Sequence, residues 1–460
     1  MPRFFAVVFG AFLGLSLLKF GNPPIMEQWV SAPTNPYEFV LGYPWPIAWG
    51  YGLLGAVAVL GLFAARWNTG APKWLLVLPL AWLIWQVAAS AHSVRPELSQ
   101  PTVAHFVACV VCFYLGYFSL NRVKDLRLFW LGLVCALLVV VAFGWQQHFG
   151  GLEETRRYFY LYEYPKMKGV PPEYLKKIAS TRIFGTLFYP NALAGVLLLL
   201  LPLALAVAGQ ARRLLTPAAR LFLVSLIALG GLGGLYWSGS KGGWLLLLLL
   251  VFLALLRLPS GKALKVTLVT VVLVGGLAGF FWKYSGFFQK GATSVAARFD
   301  YWSAALKTTS THPLFGTGPG TFAVPYQNLK RPESEMARLV HNDYLEQASD
   351  SGLVGFVTYT LFVAAALVLG APRPWTLPAA AGAGRSLPGE PVAAKTAGPE
   401  LGAVAGSPAA PDWITCCIWL GTLGWALQSL LEFGLYIPAL AWPAFTFLAL
   451  LLGRRSKGLV

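Results

Sequence analysis

An all-α polytopic membrane protein with about twelve transmembrane helices is expected from three properties of this chain. The first is composition. Of 460 residues, 57% are hydrophobic and 12% charged, with a mean hydropathy of +0.62, whereas soluble domains carry roughly a quarter charged residues. Such a chain needs lipid as its solvent. The second is that apolar runs long enough to cross roughly 30 Å of hydrocarbon as helices recur from end to end, each bounded by charge, Pro or Gly. The third is that Lys and Arg alternate between successive connections.

The runs fall near 4–20, 45–65, 73–91, 101–120, 128–149, 191–209, 219–238, 243–257, 263–282, 352–370, 413–432 and 436–453. The first ends in no small-residue cleavage site and reads as a signal anchor. Basic residues beside a membrane helix stay in the cytoplasm. Counting from a cytoplasmic start, the even-numbered connections carry Arg66 and Lys73, then Arg122, Lys124 and Arg127, then Arg212, Arg213 and Arg220, then Arg257, Lys262 and Lys265. The tail adds Arg454, Arg455 and Lys457, while connections 21–44 and 433–435 hold no basic residue and 92–100 holds only Arg95. Both termini are therefore expected in the cytoplasm. Topology accounts for much of the net charge of +17, so the chain does not read as a nucleic-acid binder. All five cysteines, Cys109, Cys112, Cys135, Cys416 and Cys417, lie in apolar spans. There they act as small hydrophobes. The Cys109 and Cys112 spacing lacks the second pair and soluble setting of a zinc or redox site.

Three connections are longer than connectors need to be. Residues 371–412 are rich in Ala, Pro and Gly, cannot bury a core, and read as a flexible cytoplasmic linker. Residues 150–190 and 283–351 are external by the topology and mix aromatics with charge, so a site is sought there. They separate helices one to five (1–149), six to nine (191–282), ten (352–370) and the C-terminal pair with its basic tail (413–460). Within 283–351, ARFDYWSAALKTTSTHP puts Phe299, Trp302 and Leu306 on one helical face, suited to the membrane interface. HPLFGTGPGTF follows without a preceding strand, so tight turns explain it better than a phosphate cradle.

HNDYLEQASDSGLVG then runs into the tenth span. Asn342 or Asp343 serves as a helix cap, with Glu346 in the first turn and Gly352 at a break. That role does not need His341, and a histidine at a helix entrance just outside the membrane also suits a general base. Three external cations stand against the positive-inside pattern: Arg182 before the sixth span, Lys241 in the SGSKGG hairpin and Arg298 at the start of the amphipathic stretch. Each alone can snorkel to headgroups. Together they point to an anionic ligand at the interface, with a pyrophosphate on a lipid carrier as the leading candidate. The external carboxylates Asp300, Glu346 and Asp350 are scattered along the sequence and form no metal-binding pair, so no metal or cofactor is expected.

RIFGTLFYPNALAG, SGSKGGW, RFDYWSAALKTTSTHPLFGTGPGTF and HNDYLEQASDSGLVG, in that order over about residues 180–370, resemble the O-antigen ligase and polymerase superfamily of bacteria. The resemblance implies a membrane fold of the glycosyltransferase C type in the inner membrane, with a periplasmic site. It implies a glycan donor on undecaprenyl diphosphate and a hydroxyl of a lipid A-core or other glycan or lipid as acceptor. Arg182, Lys241 and Arg298 match the cations that bind the donor diphosphate, and His341 matches the catalytic base or acceptor-orienting group. Asn342 matches the polar residue after it, and Asn191 and Tyr344 in the same motifs are taken as supporting residues. Lys241 stands where arginine is common, keeping the charge without the planar fork. Neutralising the leaving group with fixed cations needs no metal, and a single displacement inverts the anomeric centre. A ligase is favoured over a polymerase, and a transporter, the rival class, would place charge or broken helices at mid-membrane. A structural envelope partner would leave the external cations without a use.

Overall fold

The computed structural model describes all residues except 42–43, 68–69, 168–174, 176–177, 188, 259, 290–292, 373–411 and 456–460. The linker expected at 371–412 therefore lies almost wholly outside the described residues, as does Lys457. The described residues form helices and turns with no strand. Five long helices occupy the N-terminal part: α1 (Pro2–Lys19), α2 (Ile47–Ala64), α3 (Lys73–Ala91), α4 (Pro96–Tyr114) and α5 (Arg127–Gln146). After the 147–189 segment come α6 (Pro190–Gly209), α7 (Pro217–Ser238), α8 (Lys241–Arg257) and α9 (Lys262–Gln289). Then follow α10 (Thr293–Thr311), α11 (Asp343–Leu369), α12 (Trp413–Gln428) and α13 (Pro438–Arg455).

Each expected span has a helix at its place, and among the described residues nine helices are long and apolar enough to cross a membrane. The chain is thus a polytopic all-α membrane protein. Local chemistry sets the starts. Proline begins α1, α4, α6 and α7, where its missing N–H is not needed. Ser240 caps α8 and Asn342 caps α11, each side chain accepting from backbone N–H groups of the first turn. Because of that cap α11 begins at Asp343 rather than near 352. Its break falls at Gly352, with φ 68° and ψ −175°, a conformation that favours glycine.

α13 is the axis of the bundle, and its residues from Pro438 to Gly453 are buried throughout. α6 flanks it with Ala192 to Leu201 buried. α1 crosses α5 at glycines: a Cβ on Gly10 would meet the Phe129 carbonyl at 2.5 Å, and one on Gly132 would meet the Gly10 carbonyl at 2.7 Å. Small residues let membrane helices approach this closely. α9 is the opposite case, with only Phe280 and Tyr284 buried, so it stands at the periphery. On α10 the side chains of Phe299 and Leu306 are 60% and 56% exposed, while Tyr301, Ala304 and Ala305 pack inward. The apolar outer face suits the interfacial position expected of it.

The loops sort into two ends. Asn121 donates to the Ala449 carbonyl, Arg257 to the Pro372 carbonyl and Arg454 to Asp412, which gathers the basic connections at one end. At the other, Ile183 N–H donates to the Trp237 carbonyl, Val94 N–H to Thr317 and Asp343 N–H to Ser429. That second end carries all the predicted site residues.

Candidate functional site

Arg182 sits in a segment pinned by its neighbours. Gln147, just past α5, accepts from the N–H groups of Phe184 and Gly185 and donates to the Gly185 carbonyl at 2.8 Å. The Arg182 guanidinium then donates through Nε to the Ser238 carbonyl and through Nη2 to Asn191 Oδ1, both at 2.6 Å. Gly239, with φ 62°, ends α7 beneath it, and a Cβ there would lie 3.1 Å from Arg182 Nε. Gly239 thus makes room for an arginine. Burial lowers the Arg182 pKa and the Glu432 charge opposes that fall.

Glu432, between α12 and α13, is the hub. Its Oε1 accepts from Asn191 Nδ2 at 2.6 Å and from Arg298 Nη2, and its Oε2 accepts from the Tyr189 hydroxyl at 2.8 Å. His341 Nδ1 lies 3.0 Å from the same Oε2. The side chain is only 7% exposed. Burial would raise its carboxyl pKa, yet His341, Arg298 and the Tyr189 hydroxyl hold it at about 2. Arg298 also donates to the Leu431 and Ser294 carbonyls, which aims its guanidinium at the carboxylate. One continuous network therefore runs from Arg182 through Asn191 and Glu432 to both Arg298 and His341.

His341 is the one non-glycine residue with positive φ, 56°, among the described residues. Such backbone is strained for a branched side chain and persists where surroundings impose it. Tyr301 and Phe433 hold the ring, at centroid distances of 5.8 and 4.8 Å. Because Glu432 is a carboxylate and accepts only, Nδ1 carries the proton in this pair, so the neutral tautomer presents Nε2 as the acceptor.

Not every expected residue joins the network. Lys241 lies over the Phe287 ring at 3.9 Å and the Tyr284 ring at 5.2 Å, within reach of the charges of Arg182 and Arg298 but not bonded to the cluster. Asn342 accepts from the N–H groups of Tyr344 and Leu345, both at 3.1 Å, so its side chain is spent on the cap. The Tyr344 hydroxyl turns to the Ala426 carbonyl on α12.

The acidic residues are less scattered than the sequence implies. Asp300 is apart, accepting from Ser334. Asp343, Glu346 and Asp350 are all buried on α11, where spacings of three and four residues share a face. Asp343 accepts from Leu435 N–H, Glu346 from Val340 N–H and Asp350 from Gly320 N–H. They fasten the 433–437 turn, the His341 segment and the glycine-rich turn to one helix. Gly316, Gly318 and Gly320 there have φ of 65°, 109° and 77°, in keeping with tight turns. Among the described residues no three His, Cys, Asp or Glu side chains group as metal ligands.

Sequence reasoning missed Glu432, Tyr189 and Gln147. For Glu432 a signal existed: it is the sole acidic residue in 413–460, at the end of a span, where ionisable groups are costly unless used.

With this geometry in place, residues 226–360 match the model of the O-antigen ligase family, and no curated protein matches the chain. That region is therefore similar to the O-antigen ligase family. It contains Lys241, Arg298 and His341, while Arg182, Asn191 and Glu432 lie outside it.

Proposed function

We propose that this chain is a membrane glycosyltransferase of the O-antigen ligase type, working at the periplasmic face of the bacterial inner membrane. Its donor is a glycan on undecaprenyl diphosphate and its acceptor a hydroxyl on lipid A-core or another surface glycan or lipid. The observation that carries this reading is the Glu432 network, which joins a histidine to two arginines brought from distant segments.

In this scheme Arg182 and Arg298 take the donor diphosphate, with Lys241 adding charge nearby. His341 Nε2 accepts the proton of the acceptor hydroxyl as its oxygen bonds to the anomeric carbon. The bond from that carbon to the phosphate oxygen breaks, and undecaprenyl diphosphate leaves with its charge neutralised by the guanidinium groups. One displacement inverts the anomeric centre. Glu432 fixes the histidine tautomer and balances the imidazolium formed. Asn191 and Tyr189 hold Glu432, and Asn342 and Tyr344 set the start of α11 on which His341 depends. Polymerisation would use the same groups with a growing glycan as acceptor. Purified protein in nanodiscs, given lipid-diphosphate donor and candidate acceptors, is expected to transfer glycan in the presence of EDTA. Transfer that appears only on adding Mg²⁺ would refute the cation-only account of the leaving group, and product lengths separate ligation from polymerisation.

A further inference from the structure

Arg182 also lines a cavity of about 470 Å³ at the same end of the bundle, within the roughly 300–1,000 Å³ usual for ligand sites. Its walls come from the turn after α5, the ends of α7 and α9, and the short helix Leu152–Tyr158. Arg156 and Glu153 line it as a pair 3.2 Å apart and cancel each other. Arg182 and Lys283 both line it as cations, and the charge of Arg182 acts on Lys283. Like charges held together are unfavourable unless an anion is shared between them. Lys283 donates to the Tyr236 carbonyl and lies over that ring. This tether uses one of the three ammonium donors. Tyr236 and Trp237 supply an aromatic floor.

Beside Lys283, α9 turns apolar side chains outward, with Phe281 59%, Trp282 78% and Val274 64% exposed. A cationic cavity thus opens next to a lipid-facing apolar stripe. We infer that this cavity is a second anion subsite, centred on Lys283 and Arg182, that takes the phosphate of a polyprenyl phosphate whose tail lies along α9. The inference rests on the lipid-diphosphate reading of the neighbouring site. It assigns the carrier's lipid-side phosphate to Lys283 and Arg182 and leaves the glycan-side phosphate to the network that Arg182 shares with His341.

The test is binding of undecaprenyl phosphate to the full chain in nanodiscs, by native mass spectrometry. Lys283→Gln and Lys283→Met, which keeps most of the stem, are expected to weaken binding about tenfold or more, as loss of a charge-assisted hydrogen bond does. Lys283→Arg is expected to stay near wild type. Neutral variants that elute as monodisperse protein and bind the lipid phosphate like wild type would overturn the proposal. Inorganic pyrophosphate is measured in parallel, and a Lys283 effect on it alone would overturn the lipid assignment. Should Lys283-dependent lipid binding occur in a wild-type protein that transfers no glycan, the subsite stands and the proposed function fails.

Discussion

Glu432 is a buried carboxylate encircled by donors, and its electrostatics decide what its removal does. Burial opposes its charge, but His341 and Arg298 outweigh burial and hold its pKa at about 2 against an ordinary 4.5. A carboxyl lowered on folding stabilises the protein above the ordinary value and loses that contribution as pH falls toward 2. Deleting one partner of a buried pair costs about 3–5 kcal/mol, so Glu432→Ala is a poor probe. Glu432→Gln keeps the shape. It is expected to lower turnover about tenfold or more, because the imidazolium loses its counter-charge. Donor affinity should hold or rise, since a negative charge beside the arginines is gone. A Gln variant with unchanged turnover and weaker donor binding would assign Glu432 to binding instead. The cations of this cluster were legible in sequence because each breaks the positive-inside pattern. The hub was not, since Glu432 lies 91 positions from His341 and 241 from Asn191, and only packing reveals such partners.

Helices were the most legible elements, because lipid demands continuous apolar runs and Pro, Gly or charge ends them. α3 spans Lys73–Ala91, the bounds read from sequence. Boundaries moved where polar residues continue a helix past the hydrocarbon: α9 runs to Gln289 and α11 starts at Asp343. Hydropathy is blind to such extensions, which follow from caps and hydrogen bonds instead. Spacing alone pointed to the outward Phe299 and Leu306 of α10, whereas Trp302, expected on the same face, packs against the Tyr301 cluster. The buried acids of α11 were not, since their partners are backbone N–H groups of turns far along the chain. The two ends of the bundle separate the basic connections from the cluster, and the positive-inside rule predicts a side for each end. Reporter fusions at 160 and 330 are expected to signal the periplasm, and fusions at 215 and 260 the cytoplasm. A cytoplasmic signal at 330 would put the proposed site on the wrong side for a lipid-linked glycan.

Across the whole molecule, the cluster forms where a buried core meets peripheral helices. Glu432 sits between α12 and α13 and Asn191 at the start of α6, while Arg298 and His341 come from before and after the glycine-rich turn. Residues 226–360 carry the family match, yet the network is completed by Arg182, Asn191 and Glu432 from outside it. The proposed function therefore draws on the assembled bundle rather than on that segment alone. The central claim is that His341 and the arginines act in one site with separable roles. The most direct measurement compares donor binding and single-turnover glycan transfer in purified His341→Ala and Arg298→Ala proteins. His341→Ala is expected to retain donor binding while transfer falls about 10²–10⁴-fold, the usual contribution of a general base. Arg298→Ala should weaken both, because a phosphate contact is lost in ground and transition states alike. Near-normal transfer by His341→Ala would contradict the account and leave HNDYLE as a helix start and nothing more.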